Sequence, residues 1–197
     1  MFASIFQSLT ALLLAGVFCY LIFVSERWRE QKAKQQVLVG VVFGILVILL
    51  GMDAYLLAPL NVSVSAEAGP LILAGYLGGV FGVATAGVCG AVFAYFSGDE
   101  LPAIPMIMSL AIPTMGLTIR YLFPPKDWPV IPPRTISYML IGFGALFIVP
   151  ILIGGALIQH GNGYLIAVRI SSVIAAVGAA SIILTWQIVN LAAHFAR

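Results

Sequence analysis

Apolar runs of about twenty residues or more, each with at most one Asp, Glu, Lys or Arg, recur along this chain, and about twenty is the length an α-helix needs to cross roughly 30 Å of hydrocarbon. Five or six such runs are present, over about 5–25, 37–57, 69–98, 103–122, 136–158 and 165–195. None shows the two-residue alternation of a membrane barrel strand. The expected fold class is therefore all-α, a polytopic integral membrane helical bundle forming one transmembrane domain over residues 1–197. Composition agrees, since 62% of the residues are apolar and 8% charged, against about 25% charged in an ordinary soluble domain. A soluble enzyme is excluded. The start of the chain lacks the basic patch of a secretory signal and no small-residue cleavage site follows, so the first run is expected to be retained.

The position of the charges decides how many runs cross, because Lys and Arg in short loops stay on the cytoplasmic side while Asp and Glu contribute little. Six full crossings, the alternative, would put the basic loops after the first and fourth runs on opposite faces. If the third run instead enters and leaves on the same side, five crossings remain. Arg27, Arg29, Lys32, Lys34, Arg120, Lys126, Arg134 and Arg197 then share the cytoplasmic face and only Arg169 lies outside. Segments 26–36 and 123–135, the second rich in proline, become cytoplasmic loops. The N-terminus is expected outside and the C-terminus in the cytoplasm.

The third run is rich in glycine: Gly75, Gly78, Gly79, Gly82, Gly87 and Gly90. Glycine lets backbones approach closely and lets a chain reverse within protein when neighbours cover its polar groups. A re-entrant or broken helix pair is expected over 69–98, turning near Gly78, Gly79 or Gly82. One long tilted helix with a small-residue packing face is the alternative.

The stretches Val37-Leu-Val-Gly-Val-Val-Phe-Gly-Ile-Leu46 and Ala74-Gly-Tyr-Leu-Gly-Gly79, with Gly82, Gly87 and Gly98, resemble the membrane domain of the LytS-type five-transmembrane receptor family. That family too has a basic loop after its first helix. The resemblance implies the sensing half of a bacterial signalling protein, which transmits through its final helix to a cytoplasmic output domain. Two departures stand out. Positions where the family usually carries arginines hold Ala66 and Ala94, and no kinase or cyclase follows the last run before Arg197.

Charged groups within or beside hydrocarbon are costly and mark functional or pairing sites by default. In the five-crossing layout Asp53, Glu67 and Arg169 share the outer side, as a structural charge pair, a ligand site, or interfacial residues that reach water. Gln159, His160 and Asn162 occupy the adjoining loop. No nucleophile and base fall together, and no His, Cys or carboxylate cluster has metal-ligand spacing, so neither a catalytic residue nor a metal or other cofactor is expected. The net charge of +2 gives no reason to expect a nucleic-acid partner.

The resemblance implies a membrane sensor or receptor module, acting without catalysis on an unknown ligand or on membrane state. An accessory subunit of a larger membrane complex is the alternative, and the substrate-binding subunit of a vitamin transporter the third. The expected partners are the lipid bilayer and either other membrane subunits or a cytoplasmic output domain.

Overall fold

The computed structural model describes residues 2–25, 32–52, 55–57, 62–64, 66–97, 103–125, 129–157 and 162–196. Six helices make up most of it: α1 Phe2–Val24, α2 Lys32–Met52, α3 Ala68–Phe96, α4 Ala103–Leu122, α5 Pro133–Leu157 and α6 Asn162–Phe195. Between α2 and α3 lies a short antiparallel ribbon, β1 Tyr55–Leu57 and β2 Val62–Val64, in the register Tyr55↔Val64, Leu56↔Ser63, Leu57↔Val62. The ribbon corrects the sequence reading, in which the second helix continued to Leu57. The residue before a proline disfavours helix, and Ala58-Pro59 follows directly in the sequence. At its other end α2 begins at Lys32, so residues 32–36, expected as part of the loop 26–36, form more than a turn of helix ahead of the apolar run.

Among the described residues, three helices are long and apolar enough to cross a membrane: Ala33–Met52, Ala68–Phe96 and Val168–Phe195. The outward faces are apolar as well. On α1, Leu13, Leu14, Val17, Phe18 and Leu21 are all more than half exposed, and Ile45 of α2, Val80 of α3, Ile107 of α4 and Ile141 of α5 behave alike. Soluble monomers rarely expose such continuous apolar surface, whereas lipid solvates it. The chain is a helical membrane protein.

Length alone makes α3 look like a single crossing, but it is not one rod. Gly79, at φ 59° and ψ −145°, is non-helical in its middle. A Cβ added at Gly82 would fall on the carbonyl oxygen of Ala74, a residue that a continuous helix would place about 12 Å away along its axis. A Cβ added at Gly51 of α2 would meet both the Phe93 ring and, at 2.7 Å, Glu67 Oε1. In an unbroken helix Glu67 and Phe93 would stand about 39 Å apart. The chain therefore reverses at Gly79. Its first limb, 68–78, and its second limb, 80–96, lie side by side and start and finish at the same end of the bundle.

The first limb is the centre of the molecule. Every residue from Ala68 to Gly79 is buried, among the second limb, α2, α4 and α6. In lipid, burial of apolar groups drives little association, and close packing and hydrogen bonds do the holding. Glycines permit that packing. A Cβ at Gly75 would strike the Pro113 carbonyl of α4, and one at Gly116 of α4 would strike the Ile72 carbonyl, so these two backbones touch directly. On the other side, a Cβ at Gly40 of α2 would meet Thr85 and, at 2.9 Å, Gly82 Cα. Peripheral α1 packs on α2 and α6 through Ala11, Leu12, Ala15, Cys19 and Phe23.

Candidate functional site

A helix break inside a membrane protein leaves carbonyls without intrahelical partners, and hydrocarbon offers no water to satisfy them. The first limb meets this problem at Gly79 with a side chain from another helix. Arg120, in the last turn of α4, donates from Nη1 to the Leu77 carbonyl at 2.7 Å and to the Tyr76 carbonyl at 3.0 Å. Guanidinium suits the task because it is permanently charged and carries several donors on one planar group. Its charge also lies at the negative end of the first limb's helix dipole. Tyr76 ties the same corner from the other direction, its hydroxyl donating to the Phe123 carbonyl just past α4 at 3.2 Å.

On the α2 side of the tip a Cβ at Gly78 would come within 3.1 Å of the Gln36 carbonyl, and on the α4 side one at Gly79 would come within 3.2 Å of Arg120 Nη1. Gly79 also needs to be glycine for its backbone alone, since φ near +60° with ψ near −145° is costly for any residue with a Cβ. Tip, Gln36 and Arg120 thus occupy one end of the bundle, where α2 begins and α4 finishes.

The root of the hairpin sits at the opposite end and is gripped by α6. Ser181 Oγ accepts from the Gly69 N–H at 3.1 Å and donates to the Ala66 carbonyl. It thereby satisfies one of the unpaired donors at the start of the first limb, as a helix cap would. Nearer its C-terminal end the same helix holds the proline-rich loop. The Asn190 amide exchanges two hydrogen bonds of 2.8 Å with the backbone of Ile131, and Trp186 Nε1 donates to the Ile131 carbonyl at 2.9 Å. One helix therefore grips both the hairpin root and the connection between α4 and α5.

Of the charges singled out from the sequence, Glu67 precedes α3 and is half-buried beside Gly51 and Phe93. Arg169 is exposed on α6. It lies twelve residues before Ser181, about 18 Å of helix rise, while Ser181 is bonded next to Glu67, at Ala66. The structure does not bring Arg169 to Glu67. Asp53, Gln159 and His160 lie outside the described residues. The glycines do converge: Gly75, Gly78, Gly82, Gly87 and Gly90 all face a neighbouring backbone or a close side chain, Gly87 meeting the Ser109 carbonyl at 3.2 Å and Gly90 the Ser109 side chain at 3.0 Å. Ala94 is buried, and the Ala66 carbonyl is occupied by Ser181.

Sequence reasoning counted Arg120 only as a loop charge, and passed over Ser181 and Asn190. The available signal for Arg120 was an arginine close to the end of a run whose neighbour contains a break in need of donors. Ser181 and Asn190 are ordinary polar residues of a long helix until their distant partners are known. Comparison with protein-family models, with curated proteins and with solved structures finds no match.

Proposed function

We propose that this chain is a non-catalytic sensor module of the LytS-receptor type, in which the hairpin 68–96 is a re-entrant element within five crossings and α6 carries its state to the cytoplasmic side. The supporting observation is that α6 holds the hairpin root through Ser181 and the α4–α5 connection through Trp186 and Asn190. A displacement of the root is thereby passed along a continuous helix of 34 residues. The direction of the hairpin supports the orientation. Its tip stands at the end of the bundle where α2 follows the segment with Arg27, Arg29, Lys32 and Lys34, and where Arg120 closes α4. Lys and Arg favour the cytoplasmic face, which puts Glu67 and the root outside. The readable input, a ligand or the membrane state, acts at that outer end.

Two experiments test the reading. Reporter fusions at residues 61 and 127 should lie on opposite sides of the bacterial inner membrane; the same side for both removes the five-crossing arrangement. With a histidine-kinase output domain fused in helical register after α6, Ser181→Ala should change basal autophosphorylation at equal protein level. Output indifferent to Ser181→Ala defeats the sensor reading.

An accessory subunit is the second reading, favoured by the open face of α5. Tyr138, Ile141 and Ile148 are exposed there, and a Cβ at Gly144 would meet nothing within 4 Å. Stoichiometric purification with a larger complex, together with kinase output unaffected by Ser181→Ala, selects it.

A further inference from the structure

Between the first turns of α2 and the start of the second limb lies an open groove of about 310 Å³, lined by Ala33, Lys34, Val37, Leu38 and Phe81. Its walls are apolar throughout, Lys34 lining it with the aliphatic part of an otherwise exposed side chain. Phe81, two residues past the turn at Gly79, is 47% exposed in it. We propose that this groove binds one anionic phospholipid, with an acyl chain along Val37, Leu38 and Phe81 and the headgroup phosphate at Lys34.

Three observations favour that occupant. The groove straddles the level at which α2 passes from Lys34, Gln35 and Gln36 into its apolar run, the depth of a headgroup above its chains. The adjoining sequence 26–36 holds four Lys and Arg against two Glu, a net positive segment. Anionic headgroups are drawn to basic residues at the membrane surface, whereas a zwitterionic one gains little from them. A lipid seated here touches the hairpin at Phe81, two residues past the turn. Lipid contact so close to the turn makes the tip sensitive to the anionic content of its leaflet. The inference needs membrane insertion only and does not rest on the sensor reading.

The test uses the Phe81→Trp variant in nanodiscs, with the quenching of the unsubstituted protein subtracted, and phospholipids brominated on the acyl chain. Brominated phosphatidylglycerol should quench the added indole fluorescence at roughly fivefold lower mole fraction than brominated phosphatidylcholine, the ratio one basic residue near an anionic surface provides. Lys34→Gln should erase the preference and Lys34→Arg should keep it. Inorganic phosphate at matched concentration should leave the quenching unchanged. Equal quenching by the two lipids, a preference that survives Lys34→Gln, or reversal by inorganic phosphate would each overturn the site.

Discussion

Arg120 Nη1 stands 2.7 Å from the Leu77 carbonyl oxygen, so the last turn of α4 closes the broken end of the first limb of α3. Loss of that donor leaves two carbonyls facing a poor solvent. Because an unsatisfied buried polar group costs about 1–3 kcal/mol, Arg120→Ala should lower stability by roughly that amount per carbonyl, less whatever water recovers at this half-exposed site. Thermal unfolding in detergent or nanodiscs measures it. Arg120→Lys should recover only part, since an ammonium lacks the planar fork. An Arg120→Ala protein as stable as the parent would show the latch to be idle.

Gly79→Ala and Gly144→Ala should move in opposite directions. The first places a Cβ on a backbone at φ 59°, ψ −145°, a region whose occupation costs on the order of 1–3 kcal/mol for residues other than glycine. The second adds a Cβ in open space inside a helix, where alanine is favoured over glycine by about 1 kcal/mol. Equal melting temperatures for the two variants would contradict the reversal at Gly79.

The backbone contact between the first limb and α4 should tolerate no extra atom. Gly75→Ala and Gly116→Ala each direct a methyl at a carbonyl of the other helix, and overpacking of a filled interior costs about 1–3 kcal/mol or more. Reduced yield of folded protein on size-exclusion chromatography, for either variant, is the expected outcome.

Ser181→Ala removes both the partner of the Gly69 N–H and the donor to the Ala66 carbonyl. Replacing a capping hydroxyl costs about 0.5–2 kcal/mol. The loss should be local, seen as faster hydrogen exchange at the start of the first limb while amides of the tip keep their protection. Uniform acceleration along both limbs would mean that the root is not held by this residue.

Arg169 and Glu67 should act independently. With about 18 Å of α6 between Arg169 and the level of the hairpin root, Arg169→Ala and Glu67→Gln are expected to be additive within about 0.5 kcal/mol. A coupling larger than this in a double-mutant cycle would restore the outer ion pair.

Run length and composition were enough to name the solvent and the class of structure. Runs such as 5–25 and 69–98 are too apolar and too evenly hydrophobic for water, and a chain in hydrocarbon must satisfy its backbone internally, which means helices. The cluster of glycines between Gly75 and Gly82 likewise announced where a backbone could turn. Local composition could not say that Gly79, rather than Gly78 or Gly82, takes the positive φ. That depends on where the Arg120 guanidinium and Gln36 come to lie. Nor could it say that Glu67 and Phe93 meet over Gly51, or that Ser181 reaches Ala66 from 115 positions away. Such contacts join segments whose order in space is unrelated to their spacing in the chain. They exist only once packing has brought a surplus donor on one helix to an orphaned acceptor on another.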